Sequence, residues 1–312
     1  LGPSLGGCRM YPYASDTDAL TDALRLSRGM TYKAALAGLP QGGGKSVIIG
    51  DPRTDKTPAL FRAMGEAVER VGGAYIVAED SGISVPDVRL MAQHTRHVGG
   101  LADPASGRSG DPSPATAYGV LVALRAAVRQ RLGREDLEGL HVAVQGVGAV
   151  GFRLAGLLHR AGARLTVCDV HAASAQRAAE AYGATVVSPG EIHAVDAEVF
   201  APCALGAILN DETIPQLRAK VVAGAANNQL AVPRHDEHLR KAGILYAPDY
   251  VANAGGIIDI HYEGPDYDAQ RVRAHLDRIG DTLAAVFARA EAEGIGTGAA
   301  ADAMVRTLLL RE

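Results

Sequence analysis

One short segment constrains the fold of this chain more than any other. Gly146-Val147-Gly148-Ala149-Val150-Gly151 follows the apolar run 141–144 and precedes a helical pattern. This G-x-G-x-x-G spacing between a strand and a helix is typical of the turn that binds a dinucleotide pyrophosphate, because its glycines allow a tight turn and a close backbone approach. Asp169 ends the next apolar run, 23 residues after Gly146 (169 − 146 = 23), where a carboxylate can bind the adenosine ribose.

The residues around this carboxylate favour NAD over NADP as the cofactor. Val170 and His171 follow Asp169 with no adjacent arginine, and a carboxylate at this position repels the 2′-phosphate of NADP. Asp169 could instead only cap the helix that begins near residue 172. The agreement of strand, glycines and spacing favours the cofactor role.

Short apolar runs alternate with helical patterns as far as residue 246. They are rich in β-branched residues and lack polar alternation, which is typical of parallel strands covered on both faces. The runs are 165–168, 185–187, 199–200, 221–223 and 244–246. Since 312 residues is long for one core, we predict an α/β fold with two domains, one of them doubly wound.

The composition excludes several classes of protein. Lys and Arg number 31 against 35 Asp and Glu, so no cationic field is available for nucleic acid, and no apolar run approaches the ~20 residues of a membrane span. Three cysteines without C-x-x-C spacing exclude a disulfide framework and favour the reducing cytoplasm. We expect the pairs His94/His97 and His235/His238 to be surface histidines without an acidic third ligand beside them, so we predict no metal site.

Three charged residues in the first hundred carry little weight when each is taken alone. Lys33 and Lys45 could be solvated lysines, and Asp80 could cap a turn after a strand. Gly44-Lys45-Ser46 resembles the end of a phosphate-binding P-loop, but position 39 is Leu39 and a strand pattern follows where a helix is required. We therefore exclude a P-loop.

Taken with their flanks, these residues belong to eight segments that follow one another along the chain. They are Gly6-Gly7-Cys8-Arg9-Met10, Gly29-Met30-Thr31-Tyr32-Lys33, Gly42-Gly43-Gly44-Lys45, Ala78-Glu79-Asp80, 146–151, Ala201-Pro202-Cys203-Ala204-Leu205-Gly206, 224–229 and 247–256. In this order they resemble the Glu/Leu/Phe/Val amino-acid dehydrogenase superfamily, and most closely its leucine and valine dehydrogenase branch. Eight ordered segments are far more specific than the dinucleotide turn alone.

The resemblance implies NAD-dependent, reversible oxidative deamination of an L-amino acid to a 2-oxo acid and ammonia. Lys33 matches the family lysine that binds the substrate carboxylate. Lys45 matches the catalytic lysine, whose pKa a neighbouring cation and desolvation would lower so that it can activate water. Asp80 matches the acid and base that moves protons at the substrate nitrogen.

The resemblance also implies the lining of the site. The substrate side would contain Gly6, Gly7, Leu5, Ala78, Asn227, Asn253, Ile257 and Ile260. The cofactor side would contain Gly146, Val147, Gly148, Ala149, Val150, Gly151, Asp169, Val170, Cys203, Ala204 and Asn228. The asparagines could instead occupy turns, although the functional role is favoured. For Cys203, burial as a small apolar residue is favoured over a cofactor contact. Which asparagine contacts the substrate and which contacts the nicotinamide stays open.

The lining residues suggest an aliphatic substrate. Leu5, Ala78, Ile257 and Ile260 form an apolar pocket by family position, where a substrate glutamate carboxylate would lose its hydration at a cost of several kcal/mol. We expect leucine, valine or isoleucine, with overlap toward phenylalanine, because a methylene is worth only ~1–3 kcal/mol in such a pocket. The segment 261–264, His-Tyr-Glu-Gly, departs from the leucine branch, and parts of 24–48 and 83–89 resemble the aromatic branch, so phenylalanine or tryptophan is the alternative.

Two functions from other classes remain to be weighed. A malic-enzyme-like, metal-dependent decarboxylase would need a cluster of carboxylates, and only Glu79-Asp80 is conspicuous. A non-catalytic NAD-binding sensor would not need Lys33, Lys45 and Asp80. The presence of all three favours an enzyme.

The family organisation sets the expected domains. Residues 1–112 with 282–312 would form a catalytic, substrate-binding and oligomerisation domain, and 113–281 a Rossmann NAD-binding domain, with a cleft between them. We expect a homo-oligomer formed through the first domain. Family members carry roughly 35–40 further residues before the segment at Leu1, so we expect the natural chain to begin earlier.

Overall fold

Parallel strands form the centre of both halves of the chain. A computed structural model describes residues 1–102, 110–204 and 206–310, and residues 103–109, 205 and 311–312 lie outside this description. The described chain divides into two units. The first contains Leu1–Pro112 and Asp259–Asp268, and the second contains Ser113–Ile258 and Ala269–Leu310.

The first unit is built on one long strand, β1 (Gly2–Tyr11). This strand pairs in parallel with β2 (Gln41–Gly43) along its first half, with β3 (Ser46–Ile49) along its second half, and with β4 (Tyr75–Ala78). The connecting helices are α1 (Asp16–Leu36), α2 (Pro58–Arg70) and α3 (Val85–Met91). Ser15 and Thr57 are the N-caps of α1 and α2, since each side chain accepts a hydrogen bond from a first-turn amide.

Alternation along β1 separates a core face from a second face. Cys8 and Met10 pack with Val77 of β4 into an apolar cluster that also contains Phe61 of α2 and Met91 of α3. Residues of odd number in β1 point to the opposite face, because successive side chains of a strand alternate. The second face therefore carries Leu5, Gly7 and Arg9, and the register adds Ala78, which is paired with Gly7.

The second unit is a doubly wound domain. Its six parallel strands are β5 (His141–Gln145), β6 (Arg164–Cys168), β7 (Thr185–Val186), β8 (Val199–Pro202), β9 (Val221–Val222) and β10 (Leu245–Tyr246), in the order β10-β9-β8-β5-β6-β7. Its helices are α4 (Ser113–Leu132), α5 (Ala149–Arg160), α6 (Ala172–Tyr182), α7 (Arg234–Lys241), α8 (Asp249–Ala252), α9 (Gly255–His261, shared with the first unit), α10 (Ala269–Glu293) and α11 (Thr297–Leu309). The strand order reverses between β5 and β8, which is the switch point where such sheets bind ligands. The α/β fold predicted from the sequence is confirmed.

The C-terminal boundaries differ from the expected ones. Residues 282–310 lie in the second unit and not the first, because the buried face of α10, which includes Ile279 and Leu283, packs along α4. Residues 259–268 lie in the first unit and not the second. There the Glu263 carboxylate accepts hydrogen bonds from the Gly100 amide at 2.8 and 3.0 Å. Within the described ranges, no helix has both the length and the apolar character needed to cross a membrane.

Candidate active site and dinucleotide turn

A largely buried ion pair joins Lys45 and Asp80 in the first unit. Lys45 lies between β2 and β3, and Asp80 follows the end of β4. The distance from Lys45 Nζ to Asp80 Oδ2 is 2.6 Å, and the side chains are 6% and 21% exposed. Because β1 lies between these parallel strands, the segments after β2 and β4 meet at its middle, and the structure brings together two of the three charged residues predicted from the sequence.

Two glycines of β1 make this meeting possible. A Cβ atom on Gly6 would lie 1.7 Å from the carbonyl oxygen of Gly44, and one on Gly7 would lie 2.3 Å from the carbonyl oxygen of Glu79. Both values are far below any normal contact, so only glycine allows β1 to approach the backbone on either side of the ion pair.

Burial and charge shift the pKa values of both partners. Burial lowers the pKa of the Lys45 ammonium and outweighs the opposing effect of the Asp80 charge. Burial alone would raise the pKa of Asp80, but the charges of Lys45 and Arg9 outweigh it and hold that pKa below its ordinary value. The pair therefore combines an amine that loses its proton readily with a carboxylate that stays ionised, which suits acid and base chemistry.

Arg9 is a member of this site to which the sequence patterns assigned no role. Its Nε donates to Asp80 Oδ2 at 2.9 Å and its Nη1 donates to Asp22 Oδ2 of α1 at 3.0 Å. The Tyr13 hydroxyl also donates to Asp22 Oδ2, at 2.5 Å. An arginine within a strand whose other residues are apolar or small is the signal that could have identified it.

The remaining residues expected on the substrate side are spread over both units. Leu5 and Ala78 are 4% and 5% exposed and share the face of the sheet that carries Gly7. Lys33 lies in the last turn of α1. Ile260 lies in the first unit, and Ile257, which is buried, lies in the second.

Two contacts fix the neighbourhood of Lys33 and Ile260. The Gly43 amide donates to the Thr31 hydroxyl at 3.2 Å, so the end of α1 lies against β2. A Cβ atom on Gly99 would lie 2.8 Å from Cγ2 of Ile260, so Ile260 packs directly on that backbone. Both contacts tie an expected substrate-side residue to the sheet of the first unit.

The glycine turn of the second unit has the backbone that a dinucleotide pyrophosphate requires. Gly146 has φ of 88°, a left-handed conformation that favours glycine. A Cβ atom on Gly151 would lie 2.0 Å from the carbonyl oxygen of Gly146, so the third glycine permits the close packing of β5 and α5. Gly148 and Ala149 are exposed at the start of α5, where amide groups and the helix dipole attract anions, while Val147 is buried and Val150 half-buried.

Asp169 holds this turn in place. One carboxylate oxygen accepts from the Val147 amide at 2.8 Å, and the other accepts from the His171 amide at 2.9 Å. The side chain therefore both links β6 to the glycine turn and orders the residues before α6. Val170 beside it is 82% exposed. A cavity of about 620 Å³ adjoins Gly148 and Ala149, and Arg153 and Arg177 also line it, which adds positive charge.

Cys203 and Ala204 follow β8 on the other side of the switch point. The Cys203 amide donates to the carbonyl oxygen of Gln145 at 2.7 Å, and Ala204 lies against Gly146. Burial raises the pKa of the Cys203 thiol to about 12. The half-buried residue is therefore a neutral thiol that packs beside the turn.

The three asparagines lie near one another after β9 and α8. Asn253 donates through Nδ2 to the carbonyl oxygen of Ala225 at 3.1 Å and to Oδ1 of Asn227 at 2.9 Å. Asn228 has φ of 51°, so it also occupies a turn. Within the described chain no donor reaches the buried Oδ1 of Asn253. A buried acceptor without a donor is costly, and an amide group of a ligand would satisfy it.

The histidine pair of α7 has an acidic neighbour that the sequence spacing did not indicate. Asp211 Oδ1 lies 3.1 Å from Nε2 of His235 and 3.7 Å from Nδ1 of His238, and Asp211 also pairs with Arg234. The expectation that no acidic group lies near these histidines is therefore wrong. The Val232 amide donates to Nδ1 of His235 at 3.2 Å. One potential ligand atom from each of Asp211, His235 and His238 lies within 4.8 Å of the other two.

Comparison with known proteins gives these features a family. The family model described as the Glu/Leu/Phe/Val dehydrogenase dimerisation domain matches residues 1–97, and the Glutamate/Leucine/Phenylalanine/Valine dehydrogenase model matches 107–177 and 167–306. The leucine dehydrogenase of Geobacillus stearothermophilus is 52% identical over 304 residues, which cover 97% of this chain and 83% of that protein. The phenylalanine dehydrogenase of Bacillus thermotolerans is 46% identical over 309 residues, which cover 97% and 81%.

A solved structure agrees with the sequence relatives. The crystal structure of L-tryptophan dehydrogenase from Nostoc punctiforme superposes with a TM-score of 0.87 at 44% identity, over 99% of this chain and 89% of that one. Two family models that together span most of the chain, and relatives near half identity, agree on one class of enzyme. The chain belongs to the Glu/Leu/Phe/Val dehydrogenase family and is an amino-acid dehydrogenase.

Proposed function

We propose that the protein catalyses the reversible, NAD-dependent oxidative deamination of a branched-chain aliphatic L-amino acid to its 2-oxo acid and ammonia. The observation that carries this proposal is the buried Lys45–Asp80 pair beside Gly6 and Gly7. It lies on the sheet face that also carries the apolar side chain of Leu5. This arrangement places proton-transfer groups next to a glycine backbone and an apolar side chain.

Each charged residue has one role in the proposed reaction. The Lys33 ammonium binds the substrate carboxylate as a point charge. NAD held at the glycine turn 146–151 would supply the acceptor for the hydride of the substrate Cα. Lys45, whose pKa burial lowers, takes a proton from the water that attacks the resulting imine carbon. Asp80 takes a proton from the substrate ammonium before the hydride leaves, and it returns this proton to the nitrogen when the nitrogen leaves as ammonia.

Apolar residues select the substrate in this proposal. Leu5 and Ala78 are buried on the site face, and Ile260 packs on Gly99 in the same unit. Ile257 contributes from α9 by family position. No cation is among these side chains, so a glutamate side chain would lose its hydration without a partner. Leucine, valine and isoleucine are the substrates we expect.

An aromatic L-amino acid is the second candidate. The phenylalanine and tryptophan dehydrogenases that this chain resembles are almost as similar to it as the leucine dehydrogenase is. Segment 261–264 also departs from the leucine branch, and there His261 Nδ1 lies 2.7 Å from Gln41 Nε2. His261 directly follows Ile260, so this polar contact at the end of α9 would affect the shape of the proposed side-chain pocket.

NAD fits the residues around the glycine turn. The exposed amides at the start of α5 would hold the pyrophosphate, and Asp169 would bind the adenosine ribose and repel the 2′-phosphate of NADP. Oδ1 of Asn253 offers an acceptor for the carboxamide of the nicotinamide. Cys203, Ala204 and Asn228 would complete the cofactor side. A homo-oligomer formed through residues 1–97 is proposed from the match to a dimerisation domain.

The test follows nicotinamide absorbance with NAD or NADP and a panel of L-amino acids. We expect the highest kcat/KM with leucine, valine or isoleucine and a strong preference for NAD. A higher kcat/KM for phenylalanine or tryptophan would establish the aromatic alternative. No turnover with any aliphatic or aromatic member would refute the proposed reaction.

A pair of lysine variants tests the proposed catalytic group. Lys45→Met should abolish turnover while NAD binding, measured by fluorescence titration, stays near that of the unmodified protein. Lys56→Met is the matched control, since Lys56 pairs with Asp87 and not with Asp80 in the same unit. Loss of both turnover and NAD binding in Lys45→Met would indicate a structural lysine instead.

A further inference from the structure

We propose that Arg9 is a positioning residue for the reaction: held by Asp22 and Tyr13, it fixes the Asp80 carboxylate against Lys45. This inference rests on the proposed function and adds a requirement to it. The charged pair alone is not sufficient, and a second cation must hold the carboxylate in the productive orientation.

The contacts at Asp80 carry the first step. Arg9 Nε and Lys45 Nζ approach the same carboxylate oxygen, Oδ2, at 2.9 and 2.6 Å. Two cations, one from β1 and one from the β2–β3 connection, converge on one oxygen and limit the rotation of the carboxylate. The Asp80 side chain is therefore held in one orientation, and the proton it exchanges has a defined position.

The contacts behind Arg9 carry the second step. Its Nη1 donates to Asp22 Oδ2 at 3.0 Å, and the Tyr13 hydroxyl donates to that oxygen at 2.5 Å. One guanidinium thus bridges two carboxylates with different nitrogens, which the single ammonium of a lysine cannot reproduce. Since Asp22 belongs to α1, whose last turn carries Lys33, the bridge also ties that helix to the site.

The charges around Asp80 carry the third step. Lys45 faces it from the β2–β3 connection and Arg9 from β1, while Glu79 precedes it and the Cys8 thiol lies near Lys45. Arg9 stabilises the charged form of Asp80 and disfavours the charged form of Lys45. Removal of this guanidinium should therefore raise the pKa of both groups together.

These steps give a test with three variants of the full chain. Arg9→Gln should lower kcat about 100-fold, with a much smaller change in KM for the amino acid. It should also move the pH profile of kcat/KM upward by about one pH unit. Arg9→Lys should restore the position of the profile but not kcat, because it returns the charge without the bridge. Arg53→Gln, which removes an 85% exposed arginine from the same unit, should change neither.

A measurement independent of turnover keeps the inference separate from the proposed function. The Asp80 carboxyl, followed by NMR in protein labelled with ¹³C-aspartate, should titrate at higher pH in Arg9→Gln than in the unmodified protein. An unchanged titration, or an unchanged pH profile and kcat, would overturn the role of Arg9. An unmodified protein that turns over no amino acid would refute the proposed function, while the titration would still decide the positioning role.

Discussion

Replacement of Gly6 by alanine tests how closely β1 must approach the site. A Cβ atom at this position would lie 1.7 Å from the carbonyl oxygen of Gly44, whereas real Cβ atoms essentially never come within 3.0 Å of a neighbour. The two backbones must therefore separate by at least 1.3 Å (3.0 − 1.7 = 1.3). Because Lys45 follows Gly44 directly, its ammonium moves with this backbone.

The size of this movement sets the expected effects. A misplacement of about 1 Å costs about 100-fold in rate, so kcat of Gly6→Ala for its amino acid should fall by about that factor. Overpacking in a buried region costs about 1–3 kcal/mol, and the free energy of unfolding should fall by this amount. Steady-state kinetics and urea denaturation followed by circular dichroism measure the two effects separately.

A second glycine supplies the matched control. Gly29 lies within α1, and a Cβ atom there would meet no heavy atom within 4 Å. Gly29→Ala should therefore leave kcat unchanged and stabilise the protein by about 1 kcal/mol, because alanine favours a helix over glycine. The reasoning fails if Gly6→Ala retains the kcat and the unfolding free energy of the unmodified protein.

Three further predictions concern the cofactor, the acid stability and the second unit. Asp169→Ala should raise KM for NAD about ten-fold or more and narrow the preference for NAD over NADP; an unchanged ratio of kcat/KM values would contradict the ribose role. Burial would raise the pKa of Asp87, but hydrogen bonds from Lys56 and Ser84 outweigh it and hold that pKa below its ordinary value. The ionised Asp87 carboxylate thus stabilises the fold at neutral pH, and this stabilisation is lost as the pH falls through the folded pKa. Asp87→Asn should therefore lower the free energy of unfolding by about 1 kcal/mol at neutral pH and by progressively less in acid. Urea denaturation at several pH values measures this difference. Asp236 accepts from the Gly298 and Ala299 amides at 3.1 and 2.9 Å and so caps α11; Asp236→Ala should lose about 1 kcal/mol in thermal unfolding, and Asp236→Asn less, and equal losses would argue against the cap.

Local patterns predicted much of this fold, because their signals depend on few neighbouring residues. The glycine turn and the β-branched runs each indicate a backbone conformation that is set within a short stretch of the chain. The C-terminal boundary depends instead on which apolar surface α10 meets, and α10 packs on α4 across more than a hundred residues of sequence. Helical periodicity shows that a face is apolar but does not name its partner.

The functional residues likewise divide into those that the sequence predicts and those that only the folded structure shows. The flanking segments resemble a family, and this resemblance predicted Lys33, Lys45 and Asp80. It did not predict Asp211 beside the α7 histidines, because Asp211 lies 24 residues before His235 in the sequence. Arg9 has a partner 71 residues away in Asp80 and another in Asp22. Such contacts exist only when the strands are paired, so no spacing in the sequence reports them.

The two-residue alternation of side chains along β1 explains why the Arg9 side chain can lie on only one face of the sheet. Within Gly6-Gly7-Cys8-Arg9-Met10, the even positions Cys8 and Met10 fill the apolar core, so the odd positions must face away from it. A shift of one residue in register would place the Arg9 guanidinium in the core and expose the Cys8 and Met10 side chains, and a buried charge without a partner is far more costly than any gain in pairing. The burial of Cys8 and Met10 therefore also places the Arg9 guanidinium on the face of the sheet where Asp80 lies. The stability of the core and the geometry of the site depend on the same register of β1.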